Sequence, residues 1–373
     1  MPAITYPPVL ESHWLGLARE ATHTVSDRDA LRRLLPIVRR LTDRFTTGRP
    51  ETSAPPYLKD LRACIAYSLY FGPQTHARQT LLLDELPPLP TDRPLRVLDL
   101  GAGTGAAGWA LLDHLNAQPV RLTAWDHSRT ALRCLHELFD RLHAERWPQV
   151  KLRTHIAPLA DLVNHRDTYD VILLHYVLNE LTPPARQTLL ALAAKALTPG
   201  GRLIICEPLV HDAGDYLREL RAQALGDLGL HLLAPCPHEH ACPLPEPCHD
   251  VRSWQISRAL QILNTHLRRN VHHLDFASLV LTPAPPPRPE NFRARVVSSP
   301  ALAKGQTICR ACCSDGHIHH LQLLHRDADK DGRKRLRRLE RGDMLELAAI
   351  TPLADSSLSR ATPLRLPAAQ TDS

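Results

Sequence analysis

The chain has 373 residues, 43% of them hydrophobic, with 45 Lys+Arg against 39 Asp+Glu and a formal net charge of +6. That length supports a sizeable core and two domains with room for a small third. The mild basic bias permits a nucleic-acid partner without requiring one. No apolar run approaches the ~20 residues of a bilayer span. The start Met1-Pro2-Ala3-Ile4-Thr5-Tyr6 lacks the basic beginning and apolar stretch of a secretory signal. Glu11, Glu20, Asp27 and Asp29 come early for a transit peptide, so the expectation is a cytoplasmic protein with no membrane partner. In a reducing compartment the nine cysteines are not expected to form disulfides, and six of them crowd between 236 and 313.

Residues 1–90 read as a helical region. Leu31, Leu34, Leu35, Val38 and Leu41 recur at helical spacing, Pro50, Pro55 and Pro56 break it, and Tyr57 to Leu83 resumes it. Residues 91–230 change to short apolar strands alternating with helices: Arg96–Leu100, Arg121–Trp125, Lys151–His155, Val171–His175 and Arg202–Cys206. That alternation predicts an α/β fold with a parallel, doubly wound sheet. Thr198-Pro199-Gly200-Gly201 predicts the turn into the fifth strand, and a helix is expected over Ala213–Leu228. Residues 231–345 hold a Cys/Pro-rich loop from Pro235 to Cys248, a strand at Phe276–Leu281, prolines to Pro289, a second cysteine cluster at 309–313, and a strand at His319–Leu324. These strands are expected to complete the sheet. Residues 346–373, rich in Pro, Ser, Thr and Ala beyond Leu353, read as a flexible tail.

The run Val97-Leu98-Asp99-Leu100-Gly101-Ala102-Gly103-Thr104-Gly105 carries the strongest chemical signal. Closely spaced glycines after a strand let the backbone turn tightly against a ligand, and the following helix offers free N–H groups. Asp126, ending the next strand, can accept hydrogen bonds from both ribose hydroxyls of an adenosine. Gly103 to Gly108 also fits a dinucleotide fingerprint. Asp99, two residues before Gly101, favours S-adenosylmethionine, whose methionine portion it would hold. The cofactor-binding set is therefore Asp99, Gly101, Gly103, Gly105 and Asp126, in a Rossmann-like domain of the class I S-adenosylmethionine-dependent methyltransferase type. Asp161 either faces the adenine or starts a helix.

No catalytic residue is assigned. After the fourth strand the chain reads Leu174-His175-Tyr176-Val177-Leu178-Asn179-Glu180-Leu181, without the Asn/Asp-Pro-Pro-aromatic motif of nucleobase N-methyltransferases. His175, Tyr176, Asn179 and Glu180 either line an acceptor pocket or cap and pack a helix. Cys206 reads as a buried apolar cysteine. Cys236, Cys242 and Cys248 sit in a Cys-x5-Cys-x5-Cys loop, and Cys309, Cys312 and Cys313 lie in a distant cluster. Thiolates suit zinc or iron–sulfur centres, with His238, His240, His249 and His317 as alternative zinc ligands. A shared centre would tie the loop to the second segment and add folding free energy.

Taken together, Asp99 to Gly105, Pro235-Cys236-Pro237-His238 with Cys242-Pro243 and Cys248, and Cys309-x-x-Cys312-Cys313-x-Asp315-Gly316-His317 resemble one family. This is the methyltransferase-like assembly factors of the small ribosomal subunit, known from mitochondria and with bacterial relatives. The resemblance covers roughly residues 55–345. It implies a 4Fe–4S cluster held by Cys236, Cys242, Cys248 and Cys312, with Cys309 and Cys313 as substitutes for the last. Cys248 departs from the family spacing, following Pro247 after only five residues. The resemblance also implies binding to small-subunit rRNA and the pre-ribosomal small subunit, and a monomer is expected. Whether it is an enzyme stays open, since the family has no secured methyl acceptor. Arg333-Lys334-Arg335-Leu336-Arg337-Arg338 would suit phosphate contacts or a solvated face. Three alternatives stand beside this reading: an active rRNA methyltransferase, a small-molecule methyltransferase with structural zinc, and a non-catalytic binding module.

Overall fold

A computed structural model describes residues 4–46, 57–90, 92–209, 213–246, 248–269, 271–287, 290–354 and 357–366. The expected proline break at Pro50, Pro55 and Pro56, together with Pro247, Pro289 and the last residues of the expected tail, lies outside them. Four helices come first: α1 Pro8–Thr22, α2 Asp27–Thr46, α3 Leu61–Tyr70 and α4 Gly72–Glu85. The α/β part follows as β1 Leu95–Leu100, α5 Ala106–His114, β2 Val120–Asp126, α6 Arg129–Arg146, β3 Val150–Ile156, β4 Tyr169–His175, α7 Pro183–Lys195 and β5 Leu197–Pro208. It continues with α8 Ala213–Gly226, β6 His231–Ala234, β7 Asp250–Ser253, α9 Arg258–Leu267 and β8 His273–Thr282.

The expected parallel sheet forms in the order β3-β2-β1-β4-β5-β8-β6, with β7 also paired to β8. The first five strands run parallel, and β8 runs antiparallel between β5 and β6. This is a Rossmann-like, doubly wound arrangement. β4 is buried along its whole length, as a central parallel strand covered on both faces must be. Thr198 to Gly201 form an irregularity where Tyr169 pairs with Leu197 but Val171 pairs with Arg202. A side chain at Gly201 would stand 2.8 Å from the Tyr169 carbonyl, so only glycine fits that crossing.

The helical region is not a separate domain. Leu10, Trp14, Leu31, Leu34 and Ile65 share one core with Val97, Leu173, Ile204 and Phe276 from one sheet face. Helices α7 and α8 cover the other face through Leu189, Leu190, Leu217 and Leu220.

The later strands depart from expectation. β6 and β8 complete the main sheet. However, β9 Phe292–Val296, β10 Ala301–Ala303, β11 Gln306–Cys313, β12 Ile318–Leu324, β13 Met344–Pro352 and β14 Ser359–Arg365 build a second one. Because β9 pairs with both β11 and β13, this sheet closes into a barrel. Leu336 and Leu339, on and just after helix α10 Lys330–Leu336, plug its interior. The expected tail therefore supplies β14 and most of β13. Leu345, Leu347 and Ala361 are buried there because their alternating neighbours face out. The cysteine cluster at 309–313 forms the end of strand β11.

A buried ionic junction fastens the barrel to the sheet. Arg252 on β7 pairs with Glu85 at the end of α4, with Asp250, and with Asp343 before β13. Arg295 on β9 bonds Asp250 at 2.7 Å. Among the described residues, no helix is long and apolar enough to cross a membrane.

Candidate functional site

Asp99 ends β1 beneath the glycine turn and is 2% exposed. Burial first, and then the charge of Asp126, push its carboxyl up to about 7, opposed by a hydrogen bond from the Gly108 backbone. Gly101, Gly103 and Gly105 have φ of 72°, 53° and 89°, the left-handed region that glycine occupies without strain. A methyl group at Gly101 would stand 2.4 Å from Val177, and one at Gly105 would stand 2.6 Å from the Trp109 indole. That indole donates to the Thr104 carbonyl at 3.0 Å. Gly105→Ala is thus expected to cost on the order of 2 kcal/mol from backbone strain and overpacking, readable as a shifted denaturant midpoint.

Asp126 accepts the Gly103 N–H at 2.8 Å and the Ser128 N–H at 2.7 Å, so β2 holds the turn in place. A carboxylate offers about four lone-pair positions, which leaves room for two hydroxyl donors. All five expected cofactor residues therefore meet at the carboxyl ends of β1 and β2.

Sequence reasoning missed what stands over them. The Leu58 carbonyl accepts from the Ser128 hydroxyl at 2.8 Å, and the Leu58 side chain overlies Gly103. Ser68 bonds Thr104 at 2.8 Å. Asp60 caps α3, the helix that carries Tyr67, by accepting the Ala63 N–H at 2.8 Å. Burial and the nearby charges of Glu180, Asp126 and Asp99 raise the Tyr67 phenol. Tyr57 bonds Glu180, whose carboxyl burial also raises. Three carboxyls and two phenols thus ring the turn, an environment suited to a cationic ligand that carries hydroxyls. Nothing local in the sequence ties Tyr57 or Tyr67 to a turn some forty residues on.

At the acceptor end, Tyr176 takes φ 59° and its hydroxyl accepts from Arg78. Glu207 accepts the N–H groups of Val177, Leu178 and Asn179 at 3.0–3.3 Å and the Tyr216 hydroxyl at 2.9 Å. Glu207 therefore fixes the backbone at Asn179, and neither Asn179 nor Glu180 caps a helix as the capping alternative expected. Burial pushes His175 down to about 3, so it stays uncharged at neutral pH. Burial raises the Cys206 thiol, which is fully enclosed as expected of an apolar cysteine. Asp161 is exposed in a short 3-10 turn.

Glu207 carries a pH signature. Burial raises its carboxyl from 4.5 to about 7, so the folded chain holds a proton that the unfolded chain has released between those values. Stability from this group is therefore full below pH 4.5 and falls as pH rises towards 7. The loss is on the order of 3 kcal/mol by pH 8. Glu207→Gln is expected to flatten that part of a pH–stability curve measured by urea unfolding.

The two cysteine segments meet. Cys312 points outward from β11 and packs with Leu244 and Val297 against Cys242, Cys248 and Ile318. Burial pushes its thiol up to about 12, and the neighbouring Cys236, Cys248 and Cys242 push the same way. His238 Nε2 lies 3.2 Å from the Cys312 sulfur. Arg221 bonds the carbonyls of His238 and His240 at 3.0 and 2.8 Å and counters the burial of Cys236. Gly316 lies against His240, seating the β11–β12 turn on the cysteine loop.

Cys309 and Cys313 alternate to the barrel interior with Ala311, Leu321 and Leu323, so neither stands beside the loop cysteines. Among the described residues, no three His, Cys, Asp or Glu groups close around a single-ion position. Four thiolates on one zinc would stand about 3.8 Å apart, from Zn–S bonds of about 2.3 Å in a tetrahedron. The four cysteines are neighbours across the β11–loop contact, with Arg221 and Arg295 beside them.

Similarity to solved structures is low. TehB from Haemophilus influenzae is 16% identical with a TM-score of 0.34, covering 51% of this chain and 58% of that one. A SAM-dependent methyltransferase from Agrobacterium tumefaciens is 16% identical with a TM-score of 0.36, covering 57% and 62%. Among curated proteins, the human "Ribosome assembly protein METTL17, mitochondrial" is 24% identical over 276 residues, 71% of this chain and 58% of that protein. The chain thus spans less than two thirds of that relative's length. The family described as "Mitochondrial small ribosomal subunit Rsm22" matches residues 61–346. Extending over well more than half of the chain, that match means the protein belongs to the Rsm22 family.

Proposed function

We propose that this chain is an S-adenosylmethionine-binding, iron–sulfur assembly factor that engages rRNA of the small ribosomal subunit. The observation that carries the reading is the meeting of Cys236, Cys242 and Cys248 with Cys312 across more than sixty residues of chain. Cationic Arg221 and Arg295 would offset the charge of four thiolates. When bound, such a cluster would chiefly cross-link the barrel to the loop after β6, holding the two in register. Family membership and a relative named as a ribosome assembly protein support the partner.

For the cofactor, Asp126 would accept the ribose hydroxyls and Asp99 would sit by the methionine ammonium group. A positive ligand would favour the charged form of Asp99, so binding near pH 7 is expected to release protons. Calorimetry in two buffers of different ionisation enthalpy reads this directly. Asp126→Ala is expected to weaken binding at least tenfold. Equal heats in both buffers, with binding intact, would count against the role of Asp99.

Assembly of the subunit does not by itself require methyl transfer. Two measurements test the whole reading. Protein purified without air should be brown, with a broad band near ~400 nm and bound iron and sulfide. Cells lacking the gene should accumulate incomplete small subunits on sucrose gradients. A colourless, zinc-loaded protein would favour the small-molecule methyltransferase. Loss of one modified nucleotide from rRNA digests would favour the active rRNA enzyme.

A further inference from the structure

The barrel has a connectivity that nothing in the main sheet explains. Its first strand, β9, pairs antiparallel with both β11 and β13. β11 pairs antiparallel with β12, β12 parallel with β14, and β14 antiparallel with β13. Helix α10 falls between the third and fourth barrel strands and plugs the barrel. With β10 as an extra edge, this is the strand order of the five-stranded Greek-key barrels that bind oligonucleotides across their second and third strands. Here those strands are β11 and β12.

The middle of their outer face is open at Arg310 and His320. Ile308 pairs with Gln322 and Arg310 with His320, and all four side chains alternate away from the buried Cys309, Ala311, Leu321 and Leu323. Arg310 and His320 are exposed, and neither side chain has a hydrogen bond or ion pair among the described residues. The nearby acids are already engaged: Asp315 bonds His319 at 2.7 Å and Asp327 bonds Arg360 at 2.9 Å. One end of the face meets Cys312 and Ile318 beside the loop cysteines. The other end leads into α10, where Arg333 and Lys334 are exposed.

We propose that this face of β11 and β12 binds unpaired RNA, running from α10 to the loop cysteines. It is two strands wide and about 20 Å long, which suits an extended strand of a few nucleotides and is too narrow for a duplex. Arg310 would take a phosphate or stack on a base, and Ile308 and His320 would offer surfaces to neighbouring bases. The proposal rests on the ribosomal reading above for the presence of RNA.

The test uses the full chain, purified without air, and fluorescence anisotropy with a labelled 12-nucleotide single-stranded RNA and a duplex of the same sequence. Co-sedimentation with small ribosomal subunits is measured in parallel. The wild-type chain is expected to prefer the single strand. The double variant Arg310→Glu, His320→Ala is expected to lose at least tenfold in affinity. Its log–log salt slope should also fall by about 0.7 for each phosphate contact removed. Arg28→Glu, an equal charge change on exposed α2, should change affinity less than twofold. Both barrel positions are exposed, so melting temperature and iron content should match the wild type. Unchanged affinity in the double variant, or equal affinity for duplex, overturns the proposed face. In either case, retained co-sedimentation of the wild-type chain leaves the ribosomal reading standing. A wild-type chain that neither co-sediments nor binds RNA removes both.

Discussion

Replacing Cys312 with serine is expected to bleach the protein, lowering bound iron from about four atoms per chain to below one. Cys309→Ser and Cys313→Ser should keep the colour, because both sulfurs lie inside the barrel beside Leu321 and Leu323. The contrast separates ligands from neighbours only one and three residues away, which no inspection of spacing could do. Cys312→Ser should also loosen the seating of the barrel on the cysteine loop. With the cross-link gone, that junction rests on His238, Gly316 and a small apolar cluster at Leu244 and Val297. Faster proteolysis of the 235–246 loop would record the change. A brown, iron-loaded Cys312→Ser protein would end the four-cysteine reading.

The second large effect belongs to Arg252. Its guanidinium is buried among Glu85, Asp250 and Asp343, and it joins three parts of the chain: the end of α4, β7 and the barrel. Replacing it with methionine would leave the buried carboxyls of Asp250 and Asp343, and the partly exposed one of Glu85, facing Arg295 alone. Removing one partner of such a network typically costs about 3–5 kcal/mol, because the remaining charges stay desolvated. The loss should appear as a lower urea midpoint and as cleavage between β8 and β9. Burial raises the Glu85 carboxyl to about 7, against the pull of Arg252. Without Arg252, that carboxyl should rise further. The variant should therefore recover part of its stability as pH falls from 8 towards 5, where the folded chain keeps a proton that the unfolded chain would release. A variant whose deficit is the same at both pH values would contradict this account of the junction.

Much of this architecture can be read one residue at a time. Strand and helix periods between Leu95 and Cys206 depend on local alternation, and the five predicted parallel strands form. The glycine turn is equally local. Left-handed backbone at Gly101, Gly103 and Gly105 and a carboxylate at each strand end are properties of short segments, so Asp99 and Asp126 could be placed without any tertiary information. The four cysteines could be listed, but their meeting depends on β11 pairing. Strand alternation turns Cys312 out to the loop and Cys309 and Cys313 inward. Register is set by which neighbours are buried, and that is a long-range quantity. The segment after residue 346 depends on the same quantity: Leu347 and Ala361 look sparse among polar residues until a closing barrel gives them an interior. The covering residues Tyr57, Leu58 and Tyr67, and the ion pairs of Arg252 with partners 91 and 167 residues away, follow from packing alone. Local conformation is encoded by adjacent residues, whereas convergence of distant side chains depends on how the whole chain buries its apolar surface.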